Sequence, residues 1–127
     1  MTYTLSLAAA LFVAFIVSAS SSEPTVDPNV VKAANFAIES RNRMTNSIYL
    51  YKVVDILSNS AEIIPPAHVK YTLQVRAAQT NCRNNGSMNP EDCSVADNAQ
   101  VMICDFVVLA VPGDNTVPQS LLSQDCD

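Results

Sequence analysis

Glycine is nearly absent from this chain: 127 residues hold two, Gly86 and Gly113. A phosphate-cradling loop needs glycines close together so that main-chain N–H groups can approach an anion, and no such loop can be built here. Histidine occurs once, at His68, inside "EIIPPAHVKYTLQV". A nucleophile–imidazole pair needs a serine, cysteine or carboxylate held to that ring, and none stands at a spacing that would do so. Basic residues are also scarce, seven Lys and Arg against twelve Asp and Glu, for a net charge of −5. They form no cluster, which argues against nucleic acid or an anionic membrane surface as partner. The four cysteines contain no C-x-x-C pair and the histidine is distant from them, so neither zinc nor any other cofactor is expected. The chain reads as a binding module, not an enzyme.

What is present begins with "LSLAAALFVAFIVSA" (Leu5–Ala19), which carries no charge. It is short for a membrane span and ends in small residues, with Val17 and Ala19 in the spacing cut by a signal peptidase. Residues 1–19 therefore read as a secretory signal peptide, leaving one domain over residues 20–127 that is secreted and extracellular. Cysteines of a secreted chain are expected to be oxidised. Cys82, Cys93, Cys104 and Cys126 allow three connectivities. Pairing neighbours would close two local loops, each stabilising by about 2–4 kcal/mol.

Asp27-Pro28 has the chemistry of a helix start, and "NVVKAANFAIESRNRM" follows with Val30, Ala33, Ala34, Ala37, Ile38 and Arg41 at helical spacing. The mostly alanine stripe lets such a helix lie close against a sheet. "TNS" (Thr45–Ser47) ends it. "IYLYKVVDIL" reads as a strand, and "SNS" as the link to the next segment. "VKYTLQVRA" alternates, with Val69, Tyr71, Leu73 and Val75 on one face. "NNGSMNPED" reads as an exposed loop and holds an N-x-S sequon at Asn85, an acceptor for glycosylation. "VMICDFVVLAVP" is the most apolar strand, and its Met102, Cys104, Phe106, Val108 and Ala110 face should meet the helix. "GDNTVP" is a turn and "QSLLSQDC" a short closing strand. One helix followed by four strands with short links predicts an α+β domain with an antiparallel sheet.

The stretches "NFAIESRNRMTNSIY", "VKYTLQVRAAQTNC" and "ICDFVVLAVP" with the final "QDC" resemble a secreted type 2 cystatin over nearly the whole chain after the leader. The resemblance implies the cystatin-like fold, one long helix wrapped by a curved antiparallel sheet of four to five strands. It also implies the pairing Cys82–Cys93 and Cys104–Cys126, and a non-catalytic inhibitor of papain-like cysteine proteases. Family inhibitors wedge an N-terminal segment with a glycine, a first loop of Q-x-V-x-G type and a second loop with Pro-Trp into the protease cleft. Here Ser20–Asn29 has no glycine. The first loop falls at Glu62, Ile63, Ile64, Pro65, Pro66, Ala67 and His68, about two residues longer than the pattern. The second keeps Pro112, with Gly113 where tryptophan is expected. The resemblance therefore implies weak or altered inhibition. Its alternatives are a non-inhibitory cystatin-fold binding protein, and an inhibitor of legumain, an asparagine-specific protease, through Asn46.

Overall fold

A computed structural model describes residues 26–127 of the chain. The leader read over residues 1–19 and the segment up to residue 25 lie outside the described residues. Helix α1 spans Pro28–Met44. Asp27 caps it: its carboxylate accepts from the main-chain N–H of Asn29 at 2.8 Å, and Pro28 fills the first turn, where its missing N–H costs nothing. Four strands follow, β1 (Tyr49–Ile64), β2 (His68–Arg83), β3 (Val101–Ala110) and β4 (Ser120–Cys126). They form one antiparallel sheet in the order β1-β2-β3-β4. A single turn of 3-10 helix, Pro90–Asp92, lies between β2 and β3.

The helix packs its alanine stripe on the sheet. Ala33, Ala34 and Ala37 are fully buried, with Val30 and Ile38 beside them. Opposite them stand Tyr71, Leu73, Val75 and Ala77 of β2 and Cys104, Phe106, Val108 and Ala110 of β3, in one buried cluster. The alternation predicted for both strands is the observed one, with Met102 at the margin, partly buried. The stripe on the helix differs at its end. Arg41 is half-buried and donates to Oε1 of Gln124 on β4 at 3.2 Å, while Ser40 and Asn42 are the buried residues. Ser40 turns its hydroxyl back to the carbonyl of Phe36 at 2.9 Å, which satisfies it without a partner outside the helix.

Two further expectations are corrected. Ser58-Asn59-Ser60 is not a link: β1 runs through it, pairing Ser58 with Gln74, Asn59 with Leu73 and Ser60 with Thr72. Turn-forming residues are tolerated there because β1 is an edge strand and all three are exposed. Register shifts at Tyr49/Tyr51, Val53/Asp55 and Ile56/Ser58 absorb the extra length of β1, and such bulges bend and twist a strand. The loop after β2 is also less open than expected, since Pro90 is buried.

Both disulfides join neighbours in sequence, Cys82 with Cys93 and Cys104 with Cys126. Cys104 and Cys126 are directly opposed on β3 and β4, so that bond crosses one rung of the sheet. Cys82–Cys93 pins the 3-10 turn to the end of β2, where Asn81 N–H also donates to the carbonyl of Ser94 at 3.1 Å.

Glu39 lies on the helix flank beside this turn. Burial, and next the charge of Glu91, push its carboxyl above the ordinary range, with Arg43 opposing. A raised carboxyl pKa means that ionisation works against the fold. The penalty is absent at pH below the ordinary carboxylate range and sets in as pH rises through it. Glu39→Gln is therefore expected to raise the urea midpoint at pH 7 and to leave it unchanged at pH 3. A midpoint gain equal at both pH values would contradict this account.

Candidate protease-contact tips

The Pro65–Ala67 turn joins β1 to β2, and the segment from Val111 joins β3 to β4. The register places these two connections together. Ile64 pairs with His68 at the end of the first hairpin, and Val69 pairs with Ala110 where β3 ends. Adjacent strands thus deliver both tips to one end of the sheet.

The seven residues expected in the first loop divide between three elements. Glu62, Ile63 and Ile64 belong to β1, and His68 opens β2, so the turn is only Pro65, Pro66 and Ala67. Pro65, Pro66 and Ala67 are exposed, Ile64 and His68 half-buried. Among the described residues Ile63 is the most exposed large apolar side chain, at 76 %. Glu62 is engaged across the hairpin by Lys70, Nζ to Oε1 3.3 Å, so its charge is balanced within the sheet. Because both partners are solvated, that pair adds little stability.

The second tip has a local reason for its glycine. Asp114 N–H donates to the carbonyl of Val111 at 3.2 Å, closing a four-residue turn with Pro112 and Gly113 in the middle. Gly113 has φ +83°, the value required at the third position of a type II turn, where side chains are strained. A tryptophan at 113 would be strained in this turn, although no neighbouring atom crowds its Cβ. Thr116 donates to Asp114 through its hydroxyl and, at 2.9 Å, through its N–H, and these bonds hold the carboxyl below its usual range. Lys32 of the helix donates to Oδ1 of Asn115 at 2.7 Å, tying the loop to the start of α1.

Asn46 lies at the other end of the molecule, exposed between α1 and β1. Sixteen residues of β1 separate that loop from the Pro65–Ala67 turn, roughly 50 Å of strand. Asn42, four residues earlier, went unremarked in the sequence. Its carboxamide clamps the main chain of Tyr51, donating to the carbonyl at 2.9 Å and accepting from the N–H at 3.1 Å. Its place beside the predicted buried stripe was the only available signal, because a lone asparagine near a helix end ordinarily reads as a surface or turn residue.

Among the described residues, one α-helix laid on an antiparallel sheet, with two disulfides and two hairpin tips at one end, defines a small disulfide-stapled scaffold that presents loops. Residues 19–113 match the cystatin domain. The chain belongs to the cystatin family. Human (Homo sapiens) cystatin-F is 32 % identical over 91 residues, covering 69 % of this chain and 61 % of that protein. Cystatin of Gallus gallus is 30 % identical over 104 residues, 79 % of this chain and 70 % of its own length. The crystal structure of dimeric human cystatin F superposes with a TM-score of 0.74 at 28 % identity, over 83 % of this chain and 82 % of that one. A salivary cystatin from the soft tick Ornithodoros moubata shares the fold with a TM-score of 0.65 at 21 % identity, over 84 % and 93 % of the two chains.

Proposed function

We propose that this chain is a secreted, non-catalytic inhibitor of papain-like cysteine proteases that docks through its two tips and inhibits more weakly than its relatives. The observation that carries this reading is the pairing of Val69 with Ala110, which brings a stiff, exposed Pro65–Ala67 turn beside Pro112 and Gly113. Proline restricts the free loop, so less freedom is lost on docking. The weakness follows from what the tips lack. Gly113 offers no aromatic anchor, and aromatic side chains dominate the energetics of most interfaces. No glycine stands between Ser20 and Asn29 to let the leading segment approach a cleft closely.

The test is titration of a papain-like protease with the purified protein, following hydrolysis of a fluorogenic peptide. Replacing Pro65 and Pro66 by glycine is expected to raise the inhibition constant by roughly 4- to 30-fold, taking about 0.4–1 kcal/mol for each proline. Equal inhibition by both proteins would show that this turn is not the contact. An absence of inhibition by the wild type would replace the reading with a non-inhibitory cystatin-fold binder. A second reading, a legumain inhibitor acting through Asn46, is favoured by the exposure of that residue far from the tips. Asn46→Ala would abolish inhibition of legumain and leave the papain-like titration unchanged.

A further inference from the structure

We propose that Asn85 carries an N-linked oligosaccharide, and that this glycan covers the Thr45–Ile48 loop while leaving the tips free. The inference rests on the secretion reading above, because the transfer takes place in the secretory pathway. Asn85, Gly86 and Ser87 are all exposed. Oδ1 of Asn85 accepts from the Ser87 hydroxyl at 2.6 Å and from the Ser87 N–H at 3.1 Å. Gly86 turns the chain between them with φ +83°. The oxygen end of the carboxamide is thereby held and its orientation set, and the nitrogen is the end that the transfer uses. In the reaction that nitrogen attacks the anomeric carbon of a lipid-pyrophosphate-linked oligosaccharide. A C–N bond forms, the C–O bond to pyrophosphate breaks, the lipid pyrophosphate leaves with the electron pair, and the nitrogen loses one proton.

The neighbour in sequence decides what the glycan would cover. Asn84 is bound three times, twice to the α1–β1 connection and once to the last turn of α1. Its N–H donates to the carbonyl of Ile48 at 2.8 Å, and its Nδ2 donates to the carbonyls of Ser47 at 3.2 Å and Asn42 at 2.8 Å. Asn85 is therefore fixed one residue from the loop that presents Asn46. A bulky, solvated glycan there is set against that loop. The tips lie at the opposite end of β1 and β2, beyond its reach.

The protein is produced in a eukaryotic secretory host in two forms, with its own leader and with a leader of known function. Glycosylation is expected as a gel-mobility shift removed by peptide-N-glycosidase, absent from Asn85→Gln and Ser87→Ala and retained in Ser87→Thr. Deglycosylation in heavy-oxygen water marks the attachment site, and a parallel incubation without the enzyme separates it from spontaneous deamidation at Asn85-Gly86. No shift with the known leader would overturn the glycan. Failure to secrete with the native leader alone would sink only the secretion reading. The covering is read by legumain cleavage after Asn46, mapped by mass, with papain-like inhibition measured in parallel. Cleavage is expected to be several-fold faster in Asn85→Gln than in the glycosylated wild type, with tip inhibition equal. Equal cleavage rates would overturn the covering.

Discussion

Phe106→Ala is expected to destabilise the protein by about 3–5 kcal/mol, the range for deleting a fully buried aromatic side chain. The side chain is 0 % exposed. It stands in the middle of β3 with Leu73 of β2 on one side and Gln124 of β4 on the other, so the sheet backbone is paired on both flanks. Such a site collapses poorly around a void, which places the cost toward the top of the range. The helix residues in the same buried cluster are alanines, and their small size makes room for the ring. The converse substitution, Ala37→Leu, is expected to cost about 1–3 kcal/mol by overpacking. Against a domain stability of about 5–15 kcal/mol, either change would be plain in urea denaturation as a fall in midpoint with an unchanged slope. If both midpoints hardly move, the helix does not rest on this face of β3.

The second large effect belongs to Asn42. Asn42→Leu keeps the branching and the number of heavy atoms and removes both hydrogen bonds to the main chain of Tyr51. The side chain is 5 % exposed, so water reaches the orphaned groups poorly. Leaving a buried donor or acceptor without a partner costs about 1–3 kcal/mol each, so the pair is expected to destabilise by about 2–6 kcal/mol in total. The contact also ties the end of α1 to the start of β1, so hydrogen exchange at the Tyr51 amide should quicken in the variant. Asn46→Ala, four residues along on an exposed loop, is expected to stay within about 0.5 kcal/mol of the wild type. Equal losses for the two asparagines would show that the clamp contributes no stability of its own.

Those two asparagines mark the limit of what local sequence encodes. They are the same residue type, close in sequence, both near a helix end. What separates them is that one meets the backbone of a strand, and that meeting is a tertiary event. The end of the helical stripe shows the same limit: Arg41 fits the spacing, yet Ser40 and Asn42 are the buried neighbours. Side-chain length and local partners settle the last turn, after periodicity has placed the first three.

Local chemistry was sufficient elsewhere. Asp27-Pro28 specifies a capped start because a carboxylate beside free N–H groups and a fixed φ act within one turn. The alternating faces of β2 and β3 follow from a period of two, and the alanine stripe from the period of the helix. Pro112-Gly113 carries its turn in its own backbone preferences. The cystatin resemblance supplied the disulfide pairing that the spacing of four cysteines left open. Only the tertiary structure decided that β1 runs unbroken through Ser58-Asn59-Ser60, since pairing along β2 outweighs the turn preference of exposed edge residues. It alone decided that the expected seven-residue loop is a three-residue turn on a longer hairpin, and that Asn84 holds the sequon against the Asn46 loop. Register and long-range hydrogen bonds join residues tens of positions apart, and no local preference of the chain encodes which of them will meet.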